Sequence, residues 1–392
     1  MGSDINGRGL REKHIIEAYK TVLKTGKTTQ PRLKEELGIS FPAVSSVVDE
    51  LVECGIFSKQ MSTPSGAFRP ASMIDIIPDA FFIPVVFMRR EGYHFSLFNA
   101  KMEKVDMGIL PYSEIIPKSD QYVNVPVSNL STPIIKWTEA LMKKFHIADI
   151  ILCMPAAMSA DGSILSAALG ITIDSSFIPG LKKATGKDIY LMNNSDAYAY
   201  AEKLYQNLPD NYIFLNIGHG VGAGIISGGK ILHTYGIRAG EIGHCSIDYN
   251  GRPCFCGNRG CLERYIGEDA IRDDAKELTG GKINTFEKVC KAYKSGDREI
   301  AALMSEKARL TAVGISNMLS VYPISDIVLG GGVERLGDKF LNEVRENIKQ
   351  VGFRKVMDDV TVTYTANTIG NGAIGAARYF ADNILTFSKM VR

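Results

Sequence analysis

The chain has 392 residues, 45% of them hydrophobic and 22% charged, with a formal net charge of +2. That length exceeds one ordinary core, so two or three domains are expected, and the composition excludes a disordered or fibrous chain. There is no apolar run of about 18 residues to span a membrane, the first residues carry no secretory pattern, and the seven cysteines are an odd, mostly scattered set, so a cytoplasmic protein without a disulfide framework or a membrane partner is expected.

The first 78 residues differ in kind from the rest. Residues 1–9 read as a frayed end. Ile15, Ile16, Tyr19, Val22 and Leu23 then recur at helical spacing, and Gln30 to Leu37 forms a short second helix stopped by Gly38. Ser40 caps a third helix, in which Val44, Val47, Val48, Leu51 and Val52 make one apolar stripe. Two strands follow, Ile56 to Gln60 and Ala71 to Ile77, joined by STPSGAFRP in the manner of a β-wing. This is the order of a winged helix-turn-helix, with residues 1–78 as a DNA-binding domain and Pro78 as its boundary. The start of the last helix must enter a major groove, so Ser40, Pro42, Ala43, Ser45 and Ser46 form the candidate reading surface. Lys59 and Arg69 stand where phosphates or a minor groove would be met. A trihelical bundle used for protein contact is the competing reading.

From residue 79 the pattern becomes strands alternating with helices. FFIPVVFM, YHFSLFNA, KVDMGIL, DIILCM, DIYLM, NYIFLNI, GAGIIS, DIVLG and VTVTY read as strands. Helical stretches are expected near 132–145, 196–206, 264–278, 298–320, 336–350 and 371–381. This alternation predicts an α/β fold over 79–392, in two lobes of roughly 79–195 plus the C-terminal helix, and 196–370.

Cys254, Cys256 and Cys261 crowd into one loop with Gly257 and Gly260 between them, and His244 lies ten residues before the first. Three thiolates and an imidazole make a closed tetrahedral zinc set, so structural Zn2+ is expected, with Cys245 as an alternative to His244.

GIRAGEIGH (236–244) followed by CFCGNRGCLE (254–263) resembles the signature of the ROK family, named for repressors, open reading frames and sugar kinases. NIGHGVGAGIISGGKIL (216–232) is similar to that family's phosphate-loop hairpin, IVLGGGV (327–333) to its adenosine-side segment, and residues 1–78 to the winged helix of its repressor branch. The resemblance implies an actin-like, hexokinase-like two-lobed ATPase fold. It also implies that Glu241, His244 and Glu263, with Asn193 and Asn194, bind sugar hydroxyls. A sugar offers only hydroxyls, and carboxylates fixed on a stapled loop suit them.

Two features depart from the kinase pattern. A transferred phosphoryl group needs a base on the accepting hydroxyl, and the family's kinases place an Asp in an Asn-Asp pair at a helix start. This chain reads NNSDAYAYAE (193–202), which puts Asn194 there, and an amide cannot take the proton. Where the kinases have an Asp-Gly-Gly-Thr type loop, this chain reads VVFMRREGYHFSLF, with Met88 and Arg89 at positions that need small residues. GHGVG (218–222) precedes a hairpin, not the helix that a dinucleotide fingerprint requires. GGG (330–332) precedes a helix expected near Arg335 and serves either anion binding or close packing. The expectation is a non-catalytic, sugar-responsive transcriptional regulator, a repressor of carbohydrate metabolism. Its partners are operator DNA, a sugar or sugar-derivative effector and a second copy, as a dimer or dimer of dimers, and no ATP is required. An ATP-dependent sugar kinase with an appended DNA-binding domain is the alternative.

Overall fold

The structure, a computed structural model, describes residues 3–61, 72–112, 123–232, 240–352, 354–366 and 372–391. The N-terminal part contains α1 (Ser3–Thr25), β1 (Thr28–Thr29), α2 (Gln30–Leu37), α3 (Phe41–Glu53), β2 (Phe57–Met61) and β3 (Ser72–Ile76), with β3 paired antiparallel between β1 and β2. Pro31 opens α2, and Gly38, at φ 65°, ends it. The Ser40 hydroxyl accepts the Ala43 N–H (3.4 Å) at the start of α3, which buries Val44, Val47, Val48 and Leu51. Helix α1 starts at Ser3, so part of the segment read as frayed is helical. The wing loop STPSGAFRP, Arg69 included, lies outside the described residues.

The first lobe runs through β4 (Phe82–Arg89), β5 (Gly92–Asn99), β6 (Lys104–Pro111), β7 (Val123–Asn124), α4 (Val127–Met142) and β8 (Ile150–Met154). It continues with β9 (Ala157–Met158), β10 (Ile164–Ser166), β11 (Ile171–Ile173), α5 (Phe177–Thr185), β12 (Ile189–Asn193) and α6 (Asn194–Tyr205). The second lobe has β13 (Tyr212–Ile217), β14 (Val221–Ser227), β15 (Lys230–Ile231), α7 (Glu263–Ile266), α8 (Glu268–Leu278), α9 (Phe286–Lys294) and α10 (Arg298–Leu319). It closes with β16 (Asp326–Gly330), α11 (Asp338–Ile348), α12 (Arg354–Met357), β17 (Thr361–Tyr364), α13 (Gly372–Asn383) and α14 (Phe387–Met390).

The two main sheets repeat one plan. Their strand orders, β6-β5-β4-β8-β12 and β15-β14-β13-β16-β17, both place the third, second, first, fourth and fifth strands of the sheet, counted along the chain, side by side. In each, the first three strands are antiparallel and the last two join in parallel. The helix after each fifth strand crosses to the opposite lobe: α6 packs on β13 and β14, and α13 on β4 and β8. These two helices pack on each other closely, since a Cβ on Gly375 would lie 2.0 Å from the Ala197 carbonyl oxygen. The result is a two-helix layer shared by both sheets, the actin-like and hexokinase-like arrangement. Beyond it, α4 and α5 cover the outer face of the first sheet, and α8 to α11 that of the second.

The winged helix has no separate core. Ile15, Tyr19, Val48 and Ile74 belong to one apolar cluster with Phe81, Phe87, Tyr200 and Phe380 of the lobes. Tyr19 donates its hydroxyl to the Ala100 carbonyl (2.7 Å) and packs against Phe81 at 5.7 Å between ring centres, and Lys101 reaches Asp75 (2.9 Å). Helix α14 returns the chain to α1.

Four expectations need correction. Helix α4 begins at Val127, so Pro133 lies inside it and forgoes one ladder hydrogen bond there. The stretch 264–278 is two helices, because Gly267 is extended (φ −64°, ψ 152°) between α7 and α8. Helices α5 and α9 and the small sheet β7-β11-β10-β9 were not expected. A 3-10 turn, Val333–Leu336, comes between GGG and α11, so no α-helix N-terminus faces that glycine run.

Candidate functional site

A cleft of about 440 Å3 opens beside the α6–α13 layer and is lined from both lobes. The ends of β4, β12 and β13 bring Arg89, Asn193 and Asn216 to it. Asn193, Asn194, Glu241, His244 and Glu263 all line it, so the residues named from the sequence are brought together here.

Each is held for a local reason. Asn193 caps α6: its side-chain oxygen accepts the Ser195 N–H (2.9 Å), which leaves its amide nitrogen to donate to a Glu241 carboxylate oxygen (3.2 Å). Glu241 and His244 are aimed by the glycines that flank them. A Cβ on Gly240 would lie 1.8 Å from the Ala223 carbonyl oxygen, and one on Gly243 would lie 2.1 Å from that of Val221, so only glycine lets GEIGH lie against β14. Glu263, the first residue of α7, accepts the Val221 N–H (2.9 Å). Burial and the neighbouring Glu263 carboxylate push Glu241 up to about 7, against the lowering effect of the Asn193 hydrogen bond. Two acids facing one cavity are suited to accept hydroxyl donors.

Asn194 is buried, and its amide donates to the Met88 carbonyl (2.9 Å). The nearest acid in sequence is Asp196, two positions on. It is buried and does not line the cleft, and burial with the Glu241 charge holds it well above the usual carboxylate range.

At the mouth, Arg90 from the β4–β5 turn pairs with Asp269 of α8 and lies 3.2 Å from His219, so the two lobes are tied across the opening. Arg335 pairs with Glu268. No local pattern signals these pairs, whose members lie 179 and 67 positions apart.

The ligand atoms of His244, Cys254, Cys256 and Cys261 all lie within 4.8 Å of one another. His244 Nδ1 is 3.6 Å from Cys254 Sγ, and Cys256 Sγ is 3.6 Å from Cys261 Sγ. Zn–S bonds of about 2.3 Å in a tetrahedron set ligand pairs about 3.7 Å apart, so the donor set fits zinc. His244 Nε2 is left 3.9 Å from Glu241. Cys245 is exposed and stands outside the cluster.

On the N-terminal part, Ser40, Pro42 and Ser46 are exposed, while Ala43 and Ser45 are half-buried. Ser45 accepts from Gln30 and donates to Asp49, both at 3.4 Å. Lys59 is tied to Asp49 (3.1 Å), so its charge is already partnered. Phe41, 47% exposed at the start of α3, was not singled out in the sequence, although a bulky apolar residue beside a capping serine marks it.

A sequence profile described as the ROK family matches residues 113–383. The xylose repressor of Bacillus subtilis (strain 168) is 23% identical over 384 residues, 95% of either chain. Among solved structures, a ROK family transcriptional regulator described as a homolog of the E. coli MLC protein superposes with a TM-score of 0.79 at 21% identity, over 97% of this chain and 99% of that one. The ROK hexokinase from Thermus thermophilus gives 0.60 at 20% identity over 76% of this chain and 97% of its own. Among the described residues no helix is long and apolar enough to cross a membrane.

Proposed function

The chain belongs to the ROK family, and from that premise we propose that it is a sugar-responsive transcriptional repressor of carbohydrate metabolism whose ROK domain senses and does not phosphorylate. One observation carries the reading: the apolar core of the winged helix continues into the first lobe through Tyr19, Phe81 and Phe87. A reader fixed to one lobe moves with that lobe, so a ligand that favours one lobe arrangement changes the geometry of DNA contact. The full-length similarity to a xylose repressor supports the same reading.

In this reading residues 1–78 form the DNA-binding domain and 79–392 the sensor. Ser40, Pro42, Ala43, Ser45 and Ser46 enter the major groove, and Arg69 meets phosphates or a minor groove. Two readers on a two-fold symmetric operator require a dimer, or a dimer of dimers. Glu241, Glu263 and His244, with Asn193 and Asn194, take the sugar hydroxyls. His244, Cys254, Cys256 and Cys261 would hold structural Zn2+; four protein ligands fill a tetrahedral ion, which then fixes the loop between Glu241 and Glu263. Asn194 cannot accept a proton and Asp196 is buried and does not line the cleft, which supports a sensor without turnover and without need of ATP. A protein with these parts works in the cytoplasm.

The test is selection of bound fragments from random duplex DNA by the purified full chain, with and without a mixed sugar pool. A two-fold symmetric site whose enrichment changes with sugars is expected. No enrichment in either condition would overturn the reading.

A further inference from the structure

The two main sheets end differently on the side of their third strands. In the second lobe, among the described residues, that edge is β15, the two residues Lys230 and Ile231, and α6 packs on it. In the first lobe it is β6, eight residues long. An edge strand presents unpaired backbone N–H and C=O groups, and a long one presents a row of them. Strand β6 also carries Val105, Met107 and Ile109, which are 48%, 69% and 58% exposed. Met107 stands opposite Ser96 and Ile109 opposite His94, and these in turn stand opposite Val85 and Phe87, so the row continues the apolar face on which α13 packs. That helix contacts β4, β8 and β5, and the row beyond it is left open among the described residues. The Met107 N–H donates to Oδ1 of Asp106 (2.8 Å), an exposed carboxylate that a facing strand can replace.

A second copy of the same strand suits this edge. In an antiparallel pair about a two-fold axis at Met107, the middle of the row, Met107 meets Met107 of the second copy, Ile109 meets the bulged Val105, and Asp106 meets Gly108. No like charges then face each other, whereas an axis at Asp106 would set two carboxylates opposite. The same hairpin holds the reader: the Ala100 carbonyl accepts the Tyr19 hydroxyl, and Lys101 pairs with Asp75. At about 3.4 Å per residue Lys101 lies about 20 Å along the strand from Met107, so two such turns would stand about 40 Å apart. Half-sites read by helix-turn-helix dimers recur about 34 Å apart, a separation of the same order.

We propose that β6 is the docking edge for a second copy of this chain, which joins the two first-lobe sheets antiparallel about Met107. The inference deepens the reading of the chain as a dimer on DNA and rests on it.

The experiment is sedimentation of the full-length protein over a range of concentrations, beside Met107→Lys, together with oxidative cross-linking of cysteine replacements along β6. Cα atoms of a hydrogen-bonded antiparallel pair stand about 5.5 Å apart, within reach of a disulfide. Met107→Cys is expected to link to itself on a non-reducing gel, and Val105→Cys and Ile109→Cys to link only when the two are mixed. The parent chain, with Cys54 and Cys245 exposed, sets the background under the same oxidant. Met107→Lys, which sets two like charges opposite in place of two apolar side chains, is expected to raise the dimer dissociation constant about a hundredfold while far-UV circular dichroism is unchanged. A parent dimer that persists in Met107→Lys, or a Met107→Cys chain that links no more than the parent, leaves the dimer standing and overturns this interface. A parent protein that sediments as a monomer at every concentration, with operator DNA or without, takes the dimer reading down with it.

Discussion

The hairpin turns of the two sheets hold equivalent places in a repeated strand plan, yet they are built for different ends. The β13–β14 turn closes over Gly218, His219 and Gly220, two of which carry no side chain to cover the backbone. The β4–β5 turn closes over Arg90 and Glu91, and side chains fill the space where backbone would have to approach phosphates. Arg90 reaches across to Asp269 and His219, next to the glycine turn. One turn presents glycines to the cleft, and the other ties the two lobes together. The comparison teaches that one strand plan, repeated in both lobes, can carry hairpins of different chemistry to the same cleft.

The largest effect is expected from removing the support of the glycine side. Cys256→Ser should release zinc, cut metal content by elemental analysis from one per chain toward none, and lower the stability of the second lobe by several kcal/mol, because binding energy at a structural metal site is folding energy. Retained metal would reject the ligand set. Next, Glu241→Ala should weaken the sugar response by about tenfold to a hundredfold, the range of a lost hydrogen bond to a charged group, while DNA binding without sugar persists. An unchanged sugar titration would remove Glu241 from the site.

The arginine turn is tested by restoring the missing base. Asn194→Asp alone should give no ADP release above background with any hexose and ATP, because the first turn still lacks a phosphate cradle. Turnover in that variant would break the comparison between the turns.

The smallest effect concerns the tie between the lobes. Although burial raises it, the His219 hydrogen bond and the Arg90 charge hold the Asp269 carboxyl well below the usual carboxylate range. A depressed carboxyl contributes stability above its unfolded value of about 3.9, and that contribution is lost as pH falls through the folded value. Asp269→Asn should therefore lower thermal stability by about 1 kcal/mol at neutral pH, and the gap from the parent protein should narrow below about pH 4. A gap that widens in acid would contradict the pairing.

What was legible in the sequence was local. The helix-turn-helix could be read because a cap, a stripe and a stop fall within one short segment, Ser40 to Gly55. The metal set could be read because His244 to Cys261 is a single loop. Strands such as Tyr212–Ile217 announced themselves as apolar runs. Helix α5 was hidden by Pro179 and Gly180, which read as breakers although they fall in its first turn, where the missing N–H is no loss. Strands β7 and β9 are two residues each and exist only through distant partners. The roles of Glu241 and Glu263 came from a family likeness, since nothing in periodicity distinguishes them from solvated loop acids. Their contacts, Asn193 on one and the Val221 N–H on the other, join segments 48 and 42 residues apart, which no local pattern encodes.

The central claim is that the cleft senses and the winged helix reports. It is tested most directly by titrating the full-length protein, bound to a duplex recovered by selection, with sugars and their phosphate esters in the presence of ATP and magnesium, while DNA release and ADP formation are followed together. The account predicts a saturable change in DNA affinity with no ADP formed. Steady ADP formation with DNA binding unaffected would contradict it.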